Sequence, residues 1–436
     1  MLSIIDLIKM KIKIKRPRGT RDFTPEDMHR RNFVRKQIES VFKRYNYQEI
    51  LFPTIEDVHL FEIKSGGEIK EHMYVFEDKG KRKICLRPEA TASVCRMFVD
   101  KLNDMKKPLK LYYFCPMFRY ERPQKGRYRE FWHMGIELIG SSSYESDAEV
   151  IAIAYKSLKN IGLNFDLEIG HLGILRGLMS ELGMDDKIQN RVISYMDKND
   201  MKRLRDIIKN KIILNLIKLK GGKEILGKAE KLLENYKNAF NSLMELKEIL
   251  NYLDIEGIDY KINFGVGRGL EYYTGMVFEI RIDALGSESQ ICGGGRYDNL
   301  IELLGGQPTP ATGFAFGFDR IMNALEIQGI DIPDRYIDLI IAPVNKEVKK
   351  NAIEIASKLR ERFIVDMDIM DRKLGKILEY GNEINAKFAL IIGSDDLSRN
   401  LVTLRNMRSG EQKKILITEL IDKIDRELNL NKELHK

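Results

Sequence analysis

The feature that most constrains this chain is an interruption. Strand-forming segments come in two groups, one from Arg82 to Gly140 and one from Tyr260 to Gly295. Between them, roughly from Ile174 to Ile255, Leu, Ile, Met and Lys recur at helical spacing with almost no strand signal, the pattern of a helical insertion. KICLR, LKLYYFCPMFRY and EFWHMGIELIG in the first group, and YKINFGV, YYTGMVFEIRI and SESQICGGG in the second, are rich in β-branched and aromatic residues and are bounded by turn or charged stretches. Upstream, Thr24-Pro25-Glu26-Asp27 supplies a cap, a proline at the first helical position and acids in the first turn; Met28, Val34, Ile38, Val41, Phe42 and Tyr45 follow at helical spacing. Asn46 ends that helix, and YQEILFP reads as a strand running to Pro53.

From Ile337 onward strands alternate with helices, which predicts a separate small α/β domain with a largely parallel sheet. The boundary falls in EIQGIDIPDRY, punctuated by Gly329 and Pro333. A length of 436 residues matches several domains, each able to bury a core. No run approaches about 18 apolar residues, so a membrane span is not expected. In MLSIIDLIKMKIKIKR the apolar part precedes the basic part, the wrong order for a secretory signal. Cys85, Cys95, Cys115 and Cys292 form no C-x-x-C pair, which argues against a zinc site or a disulfide framework and for a reducing cytosol. The formal net charge of +8 suits a polyanionic partner without naming one.

Three clusters carry candidate chemistry. A GxxxxGK[ST] phosphate loop is missing, and in GVGRGL the third glycine arrives one residue too early for a dinucleotide turn. The first cluster is FRYERPQKGRYREFWHMGIE, with five basic residues in eleven positions (Arg119, Arg122, Lys125, Arg127, Arg129) interleaved with aromatics. Such a set suits a triphosphate and a base face, although a hairpin with a solvated charged tip has the same composition. In the second, GVGRGLEYYTGMVFEI, glycines flank Arg268, and Tyr272 and Tyr273 open a strand, so that their side chains are expected on opposite faces. The third, GGGRYDNLIELLGGQPTPATGFAFGFDRI, joins a glycine turn to small and aromatic residues leading to Arg320; tight helix packing alone would also explain its GFAFG.

Taken together, these clusters resemble the class II aminoacyl-tRNA synthetases. FRYE resembles their motif 2, GFAFGFDR their motif 3, and Pro53 their motif 1 proline. RGTRDFTPED, RPEATA, GRGLEYYTG and GGGRYDNL are similar to the histidyl-tRNA synthetase family in particular, and the resemblance runs from about Arg18 to the end of the chain. It implies an α+β fold: a catalytic domain with an antiparallel sheet flanked by helices, a helical insertion and a C-terminal α/β anticodon-binding domain. The corresponding segments are an N-terminal extension (1–17), a catalytic domain in two parts (18–173 and 257–328), the insertion (174–256) and the anticodon-binding domain (336–436).

The resemblance also implies an activity, the ATP-dependent ligation of histidine to tRNA-His, with Mg2+ accompanying ATP, in a cytoplasmic homodimer without a membrane partner. Arg119 and Arg268 would be catalytic. Arg119, Glu121, Arg127, Phe131 and Arg320 would bind ATP, Phe131 and Arg320 sandwiching the adenine. Glu89, Thr91, His133, Glu137, Arg268, Tyr272, Tyr273 and Tyr297 would bind histidine, with Glu137 and Tyr273 on the imidazole. Arg122 and Gln124 would approach the tRNA acceptor end, and no protein-only metal site is implied. One departure is His133, which stands where the family pattern has glutamine; a protonated imidazole there would repel the substrate ammonium and make activity acid-sensitive. The competing reading is a non-catalytic, synthetase-like regulatory subunit that binds histidine or RNA. Retention of both RGLEYYTG and a C-terminal domain speaks against it.

Overall fold

The computed structural model describes residues 14–63, 71–122, 126–198, 200–267 and 272–433. Contacts divide the chain into two compact units, with the break between Ile332 and Pro333. The strands of the first unit are β1 (Gln48–Glu49), β2 (Ile55–Asp57), β3 (Tyr74–Glu77), β4 (Lys83–Leu86), β5 (Leu109–Phe118), β6 (Glu130–Ile139), β7 (Asp166–His171), β8 (Lys220–Gly221), β9 (Lys261–Asn263), β10 (Met276–Arg281), β11 (Gln290–Arg296) and β12 (Ala311–Gly317).

The entry helix forms as its sequence requires. Pro25–Arg44 starts at Thr24, whose hydroxyl accepts from the Asp27 amide at 3.2 Å while the Asp27 carboxylate accepts from the Thr24 amide at 2.8 Å. Val34, Ile38, Val41 and Phe42 bury its inner face, and Asn46, with φ +64°, ends it. The strand expected over YQEILFP is only two residues long. Beyond Glu49 the guanidinium of buried Arg87 takes the Phe52 and Pro53 carbonyls at 2.6 and 3.2 Å, so those groups are satisfied without a sheet partner.

Nine strands form one sheet in the order β1-β5-β6-β12-β11-β10-β7-β9-β8, antiparallel except for the β1–β5 and β7–β9 pairs. The two sequence groups are joined through β12, which lies outside both and pairs with β6 of the first and β11 of the second. A three-stranded sheet, β2-β4-β3, stands beside it. The helical segment does not form a core of its own. Leu175 and Leu178 of the Leu172–Glu181 helix, and Leu243 and Leu246 of the Lys237–Ile255 helix, belong to the same hydrophobic core as Ile169 of β7 and Phe278 of β10. This segment also contributes β8, which pairs with β9 and which helical periodicity does not predict.

The second unit holds β13 (Ile337–Pro343), β14 (Val365–Met367), β15 (Ala386–Ile392), β16 (Leu401–Asn406) and β17 (Gln412–Leu416) in the order β14-β13-β15-β16-β17. The expectation of a largely parallel sheet needs correction: β14, β13 and β15 are parallel, whereas β16 and β17 add antiparallel pairs. Full helices Lys349–Arg360 and Leu374–Glu383 provide the crossovers that parallel strands need. Only the short Ser394–Leu397 helix and then a tight turn join the last three strands, and links of that length suit antiparallel neighbours.

The Leu172–Glu181 and Lys237–Ile255 helices approach closely at Gly177, where an added Cβ would lie 2.8 Å from the Ala239 nitrogen. Gly177→Ala is expected to push the helices apart and destabilise the first unit by about 1–3 kcal/mol, read as a lower denaturation midpoint in urea.

Candidate active site

A cavity of about 500 Å³ opens on the nine-stranded sheet. One half is built on carboxylates and tyrosines. Glu137 projects from β6, and the residue opposite it on β12 is Gly313, where any Cβ would collide with the Glu137 Oε2 atom. That oxygen accepts from the Tyr297 hydroxyl, while Oε1 accepts from the Thr91 hydroxyl at 2.9 Å. Burial pushes the Glu137 carboxyl up to about 8; the two hydroxyl bonds oppose the shift and the neighbouring Glu89 adds to it.

Glu89 precedes the Thr91–Met97 helix and caps it, accepting from the Thr91 amide at 2.7 Å and the Ala92 amide at 3.0 Å. The helix takes this cap from Glu89 because its N-cap residue, Ala90, has no side-chain acceptor. Burial raises the Glu89 carboxyl against those bonds and against Arg119.

Tyr272 and Tyr273 do not lie on opposite faces of a strand. β10 begins only at Met276, and the two tyrosines occupy the irregular stretch before it. Both are buried, with ring centroids 4.8 Å apart, and Tyr272 packs edge-on against Tyr297 at 5.7 Å. They therefore form one aromatic wall. Tyr113, on β5, lines the same cavity, fully buried, with no hydrogen-bond partner for its hydroxyl. Sequence reasoning missed it because LKLYYFCP looks uniformly like a buried strand.

The other half is cationic. Arg119 follows β5 and donates from Nε to the Pro88 carbonyl at 2.9 Å, with its guanidinium 5.3 Å from the Phe131 ring and 3.9 Å from Glu121. Arg127 pairs with Glu288 at 2.6 Å and faces Glu121 at 3.7 Å. Arg320, in the first turn of the Phe318–Ile327 helix, pairs with the other oxygen of Glu288 and donates to the Gln290 carbonyl at 2.6 Å. Glu288 thus bridges two of the expected nucleotide-binding arginines, and no local pattern in SESQIC marks it out. Asp319 was likewise unmarked: it takes Arg21 and Arg31, each at 2.7 Å, and the Trp132 amide at 2.9 Å, fastening the RGTRDF segment beside the cavity.

His133 sits on β6 with its ring 5.1 Å from that of Phe131 and with Nδ1 buried and unpartnered. Burial, reinforced by Arg119 and Arg320, pushes its pKa down to about 3. The imidazole is therefore neutral at physiological pH, and the expected acid sensitivity from this residue is corrected: both neighbouring arginines oppose its protonation. Arg122 is exposed in the loop after β5. Arg268 and Gln124 lie outside the described residues.

The remaining expected residues, Glu89, Thr91, Arg119, Glu121, Arg127, Phe131, His133, Tyr272, Tyr273, Tyr297 and Arg320, line this one cavity, and Glu137 lies buried directly behind its wall, bonded to Thr91 and Tyr297. Its cationic half suits phosphate oxygens. Its opposite half suits a small polar ring that can donate to a buried carboxylate. Among the described residues, no group of three or more His, Cys, Asp or Glu side chains is arranged to hold a metal ion.

Comparison with known proteins identifies the family. A family model for histidyl-tRNA synthetase matches residues 19–321, and a model for an anticodon binding domain matches residues 338–427. The chain is 45% identical over 419 residues to a histidine–tRNA ligase of Methanocaldococcus jannaschii, an alignment covering 94% of this chain and 99% of the relative. It is 43% identical over 420 residues to the corresponding ligase of Archaeoglobus fulgidus, with 94% and 99% covered. The crystal structure of apo S. aureus histidyl-tRNA synthetase superposes with a TM-score of 0.71 at 30% identity, covering 94% of this chain and 99% of that one.

The raised Glu137 pKa has a consequence for the ligand-free protein. Between the ordinary carboxyl range and about pH 8 the native state holds a proton that the unfolded chain has released, so stability falls as pH rises through that window and is fully present below it. Glu137→Gln is expected to flatten this slope, making the variant relatively more stable near pH 8 than near pH 5, as read by denaturant unfolding at both values.

Proposed function

Because the chain belongs to the histidyl-tRNA synthetase family, we propose that this cavity performs both half-reactions of histidine ligation. The protein is an aminoacyl-tRNA ligase acting on histidine, and its family draws on ATP. The observation that carries the assignment of residues is that Thr91 and Tyr297, which hold the buried Glu137 carboxyl, line one cavity with Arg119, Arg127 and Arg320.

In the first half-reaction the histidine carboxylate attacks the α-phosphorus of ATP and pyrophosphate leaves. In the second, a ribose hydroxyl at the 3′ end of tRNA-His attacks the acyl carbon and AMP leaves. Both require alignment and neutralisation of growing negative charge more than an acid or a base. Arg119 neutralises the α-phosphate, with Arg268 as its partner. Arg127 takes the outer phosphates, Phe131 and Arg320 enclose the adenine, and Glu121 bonds to the base. Magnesium carried by the triphosphate would supply further neutralisation, and Glu121 and Glu288 would hold it, Glu288 by giving up its pairs with Arg127 and Arg320.

Glu137 accepts the imidazole N–H and Tyr273 meets the other face of the ring, while Glu89, Thr91 and the neutral ring of His133 receive the α-ammonium. A competitor without that N–H forfeits the bond and leaves an acceptor position of the buried Glu137 unfilled, at about 1–3 kcal/mol, and this penalty selects histidine. Arg122 and Gln124 guide the acceptor end, the helical segment 174–256 steadies the acceptor stem, and residues 336–436 read the anticodon. Two copies associate through the face around Pro53, a reading supported by the exposure of Leu51, Ile55, Val75 and Phe76 there. No helix among the described residues is long and apolar enough to cross a membrane, and the site of action is the cytoplasm, where tRNA is charged. The regulatory-subunit reading gives way, since relatives aligned over nearly the whole chain are ligases.

Amino-acid-dependent ATP–pyrophosphate exchange tests the assignment. Of the twenty amino acids only histidine should support exchange, and Arg119→Lys should lower kcat by about 10²–10³ with little change in the KM for histidine. Removal of residues 333–436 should leave histidine-dependent exchange detectable while abolishing tRNA charging; unchanged charging kinetics would refute the anticodon role.

A further inference from the structure

Behind the tyrosine wall lies a buried ionic cluster that none of these steps uses. Arg296 of β11 is 7% exposed, and Asp147, in the first turn of the Tyr144–Asn160 helix, is 2% exposed. The guanidinium donates from Nε to Asp147 at 2.9 Å, from Nη1 to the Ser141 carbonyl and Asp298, each at 3.0 Å, and from Nη2 to the Ser146 hydroxyl at 2.9 Å. Removing such a charge from water is costly, and a well-packed apolar side chain of similar volume often stabilises a fold as much. Net stability therefore does not account for the arrangement, and its geometry points elsewhere.

Three connections lead from Arg296 to the amino-acid pocket, one of them through its guanidinium. The Arg296 carbonyl accepts from the Thr274 amide at 2.8 Å, and Thr274 directly follows Tyr272 and Tyr273. Asp298, which Nη1 holds, donates its amide to the Thr274 hydroxyl at 3.2 Å and accepts from the Ala311 amide at 3.2 Å. Ala311 heads β12, the strand that carries Gly313 under Glu137. Between Arg296 and Asp298 stands Tyr297, whose amide donates to the Ala311 carbonyl at 2.8 Å and whose hydroxyl holds Glu137. A planar guanidinium fixes several directions at once, which an ammonium cannot do.

We propose that Arg296 is a positioning residue for the amino-acid pocket. By joining the start of the Tyr144–Asn160 helix to Asp298 and Thr274, it sets where Tyr272, Tyr273 and Tyr297 stand relative to Glu137, and so governs histidine affinity without touching the substrate. The proposal rests on the reading of Glu137 as the acceptor for the imidazole.

The test is pyrophosphate exchange by the full-length enzyme with histidine and ATP varied separately. Arg296→Lys keeps the charge and loses the fork; Thr274→Val removes the hydroxyl that Asp298 uses, and Thr274→Ser restores it. Arg296→Lys and Thr274→Val should each raise the KM for histidine on the order of tenfold, the scale of a sub-ångström misplacement, with the KM for ATP unchanged and Thr274→Ser close to wild type. A purely structural role would lower kcat with the loss of folded enzyme at constant histidine KM, and that result overturns the proposal. Should Arg296→Lys fail to fold, the Thr274→Val and Thr274→Ser pair decides alone. Glu137→Gln is measured alongside. If it leaves the histidine KM unchanged, the pocket reading fails and the proposal with it; if it raises that KM while Arg296→Lys and Thr274→Val do not, the positioning role alone is refuted.

Discussion

One pairing register underlies the site: β6 lies against β12 so that Glu137 faces Gly313. A carboxylate taken out of water survives only if its oxygens find donors and its volume finds room. The room comes from the missing side chain at Gly313, and the donors are the hydroxyls of Thr91 and Tyr297. A slip of this ladder by one residue would turn Glu137 to the other face of the sheet, away from Thr91 and Tyr297.

Burial acts on the two titratable groups of β6 in opposite senses. It raises the Glu137 carboxyl to about 8 and lowers the His133 imidazole to about 3, because in each case the charged form is the one desolvation penalises. The nearby arginines are held differently. Their charge is compensated by Glu288, which lies between Arg127 and Arg320, while carbonyls of Pro88 and Gln290 take further donors from Arg119 and Arg320. The site thus combines neutral, hydrogen-bonding groups on one side with charge-compensated cations on the other.

Much of this was legible in the chain, for identifiable reasons. The cap at Thr24, the ten-residue strands of motif 2 and the helix leading from Arg320 follow from local periodicity and turn chemistry, which act within a few residues. Arg119, Arg127, Phe131, Glu137 and Arg320 were recognisable through ordered motifs. Readings that extended a local rule across a tertiary boundary failed. Alternation placed Tyr272 and Tyr273 on opposite faces, but the strand starts later and the two rings pack together. Helical periodicity separated residues 174–256 from their surroundings, but their leucines share the core of the sheet. The residue type at His133 suggested acid-sensitive activity, and burial beside two arginines holds that imidazole's pKa down to about 3.

The sequence alone determined which elements form and which side chains are chemically able to act, because caps, apolar spacing and residue type are properties of short stretches of chain. Only the tertiary structure decided which of those side chains meet. Glu288 is an ordinary acid until folding brings it between Arg127 and Arg320, Tyr113 an ordinary core tyrosine until its hydroxyl is left facing a cavity, and Arg296 an ordinary turn residue until helix and strand close around it. Their partners are distant in the chain, and both the hydrogen bonds and the desolvation that give them a role depend on separations in space that no local sequence pattern encodes.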